Sequence, residues 1–197
     1  MKRKISGLIL CLAMVFSLSV PVMAAEAADA HQAAADRLYE LGLFQGTGVQ
    51  PDGTPEYALS RELSRQEAIT LLVRLLGKEQ EAKEGSYAHP FTDVDAWADP
   101  YVGYAYSHGL TNGIRENLFG GKQAVTATQY LTFVLRALGY VSGEDFAWDR
   151  AWEKTDALGI TDGEYGAENN KTFLRGDAAY VSEKVLDAER KDGRTTF

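Results

Sequence analysis

Cysteine is nearly absent from this sequence: Cys11 is the one thiol among 197 residues. That excludes a disulfide framework and a Cys-type zinc site. Basic clusters are also missing beyond the first four residues, and the formal net charge is −8. A generally basic protein built to coat nucleic acid or an anionic membrane is therefore excluded. Histidine is scarce, with three residues, and neither a His-Glu-x-x-His nor a Gly-x-Ser-x-Gly run occurs. Two common hydrolytic arrangements are thus lacking. His31 lies near the expected processed terminus, and His89 and His108 read as loop or cap residues. The carboxylates are those of an acidic surface, and spacing alone assigns no acid–base pair among them. An enzyme is not expected, nor a cofactor. What is present, 45% hydrophobic and 24% charged residues, is the balance of a globular protein rather than a disordered or fibrous one.

The amino terminus has a separate character. Met1-Lys2-Arg3-Lys4 is basic, Ile5 to Val22 is apolar or small, and Val22-Met23-Ala24 supplies small residues at the positions before a cut. This is the layout of a secretory signal peptide over residues 1–24, with Ala25 and Ala28 as other cleavage choices. An uncleaved anchor is the competing reading, since the run approaches spanning length; Pro21 and the following alanines favour cleavage. Removing three basic residues and Cys11 leaves 17 Lys and Arg against 28 Asp and Glu, a net of −11. No disulfide is then available, and stability rests on core packing.

Three segments of the remaining chain share a plan. Each opens with a helix-like stretch closed by a glycine, at Leu41-Gly42-Leu43, Gly109-Leu110 and Leu158-Gly159-Ile160. A glycine in that position is a C′ cap, where the backbone turns left-handed. A polar, glycine-rich loop follows, then a second amphipathic helix. Ile69, Leu72, Val73 and Leu76 recur at helical spacing, as do Leu131, Val134, Leu135 and Leu138, and more weakly Ala178, Val181, Val185 and Leu186. Such one-sided stripes must pack on neighbours. The segments span 33–77, 91–140 and 141–190, and the charged stretch 78–90 reads as a solvated linker. A single helical hairpin of this size cannot bury a core, so the three are expected to associate.

The starts of the second helices carry the candidate chemistry. Ser64-Arg65-Gln66-Glu67 is a capping box, and Thr126-Ala127-Thr128-Gln129 repeats it. In Leu174-Arg175-Gly176-Asp177 the cap hydroxyl is gone. Arg65 and Arg175 place a cation in the first helical turn, against the helix dipole. An Arg beside free helix N–H groups suits an anionic ligand. The alternative is that each guanidinium pairs internally with Glu67 or Asp177. At the head of the second segment, Phe91-Thr92-Asp93-Val94 and Trp97 read as a docking segment before a helix. Asp93-x-Asp95 does not continue as a calcium loop, because Trp97 and Ala98 stand where a ligand and a glycine are needed; no metal is expected.

Taken together, these residues resemble the S-layer homology (SLH) repeat of bacterial cell-surface proteins. Phe91-Thr92-Asp93-Val94, Trp97-Ala98, Tyr101-Val102, His108-Gly109-Leu110-Thr111-Asn112-Gly113, Phe119 and Val125-Thr126 follow the family's order. Leu63-Ser64-Arg65-Gln66-Glu67-Ala68 and Leu174-Arg175-Gly176-Asp177-Ala178 resemble its Ile-Thr-Arg-Ala-Glu signature. The resemblance implies an all-α fold, three helical-hairpin repeats in a pseudo-threefold bundle with loop prongs. It implies a secreted, non-enzymatic protein of the cell wall or S-layer that binds secondary cell-wall polysaccharide, often pyruvylated, in grooves between prongs. Other S-layer or envelope proteins are further implied partners. Carried over residue by residue, it nominates Arg65, Asp93, Trp97 and Arg175 as glycan-binding residues. The second segment departs from the signature at Ala127, and the third has Phe146-Ala147-Trp148-Asp149 in place of the Phe-x-Asp-Val head. A surface module that keeps the fold and has lost the glycan is the alternative function.

Overall fold

The computed structural model of the chain describes residues 19–166 and 171–194. Most of the expected signal peptide, including Cys11, lies outside the described residues. The protein is mainly helical. In chain order it comprises α1 (Ser19–Glu40), a small antiparallel pair β1 (Gly48–Val49) and β2 (Pro55–Glu56), α2 (Arg65–Leu75), α3 (Glu79–Glu84), α4 (Asp99–Ser107), α5 (Ala127–Ala137), α6 (Ala151–Ala157) and α7 (Arg175–Val185). A 3-10 turn, Trp148–Arg150, leads into α6. Among the described residues no helix is long and apolar enough to cross a membrane. The expected cut after Ala24 falls within α1.

The second helices begin where the sequence places them. Ser64 caps α2 and Thr126 caps α5, each with the reciprocal contact from Glu67 or Gln129. At α7 only half the box forms: the Leu174 N–H donates to Asp177 Oδ2 at 2.7 Å, and no hydroxyl stands at the cap. Helix α7 closes at Val185, and residues 186–188 continue in tighter i→i−3 turns. The glycine caps form as expected. Gly42, Gly109 and Gly159 have φ of 73°, 71° and 69°. In each case the following N–H reaches back five residues, as from Leu43 to the Leu38 carbonyl.

Helices α2, α5 and α7 touch pairwise and enclose the core. Ile69, Leu72, Leu131, Leu135 and Val181 are fully buried there, each contributing about 1.5–3 kcal/mol of transfer free energy. The leading helices pack out of step with the chain. Helix α4 lies on α2 and α6 on α5, while α1 crosses to α7. Each leading helix thus covers the trailing helix of the segment before it, and α1 closes the ring. Arg37 of α1 bonds Glu183 of α7.

Within the first polar, glycine-rich loop, Pro51-Asp52-Gly53-Thr54 turns the chain between β1 and β2, with the Thr54 N–H donating to Asp52 Oδ1 at 3.0 Å. One expectation needs correction. Stretch 78–90 is not merely a solvated linker. It holds α3, which buries Ala82 and packs against α2 and α4.

Candidate anion-binding groove

Arg65 is buried rather than free in an open groove, with 5% of its surface exposed. Its Nε donates to the Phe119 carbonyl at 2.9 Å and its Nη2 to Thr111 Oγ1 at 3.3 Å. The guanidinium lies over the rings of Phe119 and Phe133, 4.9 and 4.7 Å from their centroids, as a weakly hydrated cation can. Burial, then the neighbouring Arg136 charge, pushes its pKa down to about 10, against the pull of Asp93.

Arg175 repeats this arrangement on the first loop. It is 9% exposed, donates from Nε to the Tyr57 carbonyl at 2.8 Å and from Nη2 to the Gln45 carbonyl, and lies over Phe44. The alternative of internal ion pairs with Glu67 and Asp177 is not seen among the described residues. Glu67 is taken by Arg61 at 2.7 Å, and Asp177 by Lys171 at 2.7 Å. The first-turn cations are tolerated because loop carbonyls from the next segment meet them.

Asp93 completes the clamp on the second loop. Its two carboxylate oxygens accept the Phe119 and Gly120 N–H groups at 2.7 and 2.8 Å. Residue Phe119 is therefore gripped at its carbonyl by Arg65 and at its N–H by Asp93. The start of α2 adds backbone bonds from Arg65 and Gln66 to the Gln123 and Gly121 carbonyls, and Gln66 Nε2 reaches Asp95 at 2.7 Å. Loop 112–114 is drawn close to the core by Gly113, where a Cβ would meet the Phe91 ring at 2.4 Å.

The outer side of Arg65 faces a groove of about 410 Å³. It is lined by Asn112, Gly113 and Ile114, by Gln129, Thr132, Phe133 and Arg136 of α5, and by Trp148. Arg136 is half-buried, reaches among the described residues only the Leu110 carbonyl at 3.4 Å, and has its pKa lowered by burial. Among the described residues neither Arg65 nor Arg136 makes a salt bridge to a carboxylate. Trp148 is 63% exposed. Two guanidiniums and an indole face together offer charge-assisted bonds to a carboxylate and an apolar platform to a sugar ring.

The four nominated residues therefore do not form one site. Arg65 and Asp93 meet through Phe119, Arg175 sits on the first loop, and Trp97, 51% exposed, precedes α4 beside Asp95. The tryptophan of the Arg65 groove is Trp148, not Trp97. Sequence reading missed Arg136, Gln129 and Trp148 as groove residues. A signal existed, since Arg136 stands where Arg74 does when the two capping boxes are aligned, and Trp148 falls close to the position of Trp97.

By its fold this is a mainly helical protein closed by leading helices that lie on the segment before. Residues 90–126 match the S-layer homology domain, so the chain carries an S-layer homology domain over that stretch. It is 31% identical over 180 residues to a "Cell surface protein" of Thermoanaerobacter kivui, covering 89% of this chain and 22% of that one. It is 30% identical over 157 residues to a "Middle cell wall protein" of Brevibacillus brevis, covering 76% of this chain and 14% of the relative. A "Surface layer protein" of Brevibacillus choshinensis is 30% identical over 130 residues, 64% of this chain and 11% of the relative. The chain thus spans between 11% and 22% of the length of these relatives.

Proposed function

We propose that this chain is a non-enzymatic protein of the cell surface that holds wall polysaccharide non-covalently in the groove between α5 and Trp148. The S-layer homology match and the cell-surface, cell-wall and surface-layer names of the relatives support the location. The observation that carries glycan binding is the pairing of Arg65 and Arg136, neither in a salt bridge among the described residues, in a groove of about 410 Å³ beside an exposed tryptophan. An acidic sugar substituent such as a pyruvate ketal matches two guanidiniums. The repeats 33–77, 91–140 and 141–190, the signal peptide 1–24, and the partnership with envelope glycan or other S-layer proteins belong to this same reading.

Co-sedimentation of the mature protein with purified sacculi tests it. Sacculi should pull the protein down, and stripping the wall polysaccharide should release it. Sedimentation unchanged by stripping would sink the proposal. A second reading, a surface module that has kept the fold without the glycan, draws on Arg175, whose Nε and Nη2 are committed to the Tyr57 and Gln45 carbonyls.

A further inference from the structure

Helices α2 and α5 share the cap hydroxyl, a threonine and an arginine at corresponding positions when their capping boxes are aligned. Thr70 and Thr132 each donate to the carbonyl four residues back, and Arg74 matches Arg136. Arg175 feels the charge of Arg74 as Arg65 feels that of Arg136. Counterpart sets of side chains are therefore laid out at the two helices, Arg175 with Arg74 and Arg65 with Arg136, and Trp97 before α4 stands as Trp148 stands before α6.

Their contents differ. Arg74 Nε and Nη2 both donate to Glu79 Oε1 of α3 at 3.2 Å. Tyr101 of α4 donates its hydroxyl to the same oxygen at 2.7 Å, Lys83 approaches it at 2.8 Å, and the Arg74 cation lies 5.6 Å from the Tyr101 ring centroid. Burial opposes the charge on Glu79, but the Lys83, Tyr101 and Arg74 contacts outweigh it and hold its pKa at about 2. On α6 the residue eight before the capping glycine is Ala151, where α4 has Tyr101. Among the described residues the 3-10 turn Trp148–Arg150 lies between α5 and α6, and no α-helix there corresponds to α3. Among the described residues the lining of the Arg65–Arg136 groove includes no carboxylate.

Building on the glycan-binding reading, we infer that Glu79 is a built-in stand-in for the ligand carboxylate, that α3 stoppers the place on α2 that the groove occupies on α5, and that the chain takes a single glycan anion at Arg65 and Arg136. The third helix offers no rival, because Ala127 replaces the signature arginine whose guanidinium would enter its groove. The inserted stretch 78–90 thereby acquires a role as a stopper rather than a spacer.

Two readouts test this, and one needs no glycan. Calorimetry of the mature chain with a synthetic pyruvate-ketal hexosaminide should give one site in the wild type. Arg136→Gln should abolish it, Arg74→Gln should leave it, and Glu79→Gln should open a second. Phenylglyoxal, which modifies guanidinium groups, should label Arg136 in the wild type and spare Arg74, as followed by peptide mass spectrometry. Glu79→Gln should raise Arg74 labelling several-fold, and Tyr101→Phe, a milder change that removes one bond to Glu79, should raise it part of the way. Two sites in the wild type, or Arg74 labelled as fast as Arg136, would overturn the stopper. Loss of all binding heat with Arg74 still shielded by Glu79 would instead overturn the glycan reading and leave the stopper standing.

Discussion

At the scale of single residues, the arginine that looks like a ligand-binding group is also a structural one. An exposed first-turn Arg contributes little to stability, and the sequence suggests that role for Arg65. Its burial reverses the expectation. Arg65→Ala removes the donor to the Phe119 carbonyl and the cation over two rings, leaving a buried acceptor unpaired at a cost of about 1–3 kcal/mol. Thermal unfolding should fall by several degrees, at roughly 2–4 °C per kcal/mol for a domain of this size. Lys at this position cannot supply two directed donors from one plane, so Arg65→Lys should also be destabilised. Arg136, with one long contact to the Leu110 carbonyl, should behave oppositely: Arg136→Ala loses glycan and melts within a degree or two of the wild type. Calorimetric melts of the three variants check both halves, and an unshifted Arg65→Ala melt would return Arg65 to a purely ligand-facing role.

At the scale of elements, the regular stripes were the most legible part of the sequence. The starts of α2 and α5 follow from a cap hydroxyl and a Glu or Gln three residues on, and that of α7 from Asp177 bonding the Leu174 N–H, which is local chemistry. Leu72 and Leu135 are fully buried, and replacing either with Ala should cost roughly 2–5 kcal/mol, measurable by urea titration. What sequence could not give was cross-segment partnership. Trp148 meets Arg65 only because α6 lies on α5, and Glu79 meets Tyr101 only because α4 lies on α2. A run of charged residues such as 78–90 reads as solvated until one knows that an arginine awaits it. The two acidic elements set the acid response. Glu67 and Glu79 both ionise at about 2, against an ordinary 4.5. For Glu67 burial opposes ionisation but the Arg61 and Ser64 bonds prevail. A depressed folded pKa gives stability that is complete above the ordinary value and is lost as pH falls toward the folded one. Melting temperature should therefore drop between about pH 4.5 and 2, and Glu79→Gln should flatten that drop. An equal slope in wild type and variant would remove Glu79 from the account.

At the scale of the whole molecule, ring closure and charge decide how the groove is used. Because α1 packs on α7, the core is shared around the ring and no segment is complete alone. The groove is likewise composite, with Arg65 from one segment, Arg136 from the next and Trp148 from the third. Any contact with an anionic polymer is made by a body that carries a net of −11 after removal of residues 1–24. Long-range attraction is therefore absent, and the polymer must approach against repulsion until it meets the two guanidiniums. Salt then acts in the unusual direction. Raising ionic strength from about 0.01 to 0.15 M shortens the screening length from about 30 to 8 Å, which removes the repulsion between distant charges. The desolvated two-point contact inside the groove is screened far less. Association with immobilised wall polysaccharide should accordingly quicken as salt rises through this range, while dissociation changes little. Surface plasmon resonance at graded sodium chloride reads both rates. Slower association with rising salt would mean that a diffuse cationic surface, rather than the Arg65–Arg136 groove, captures the polymer.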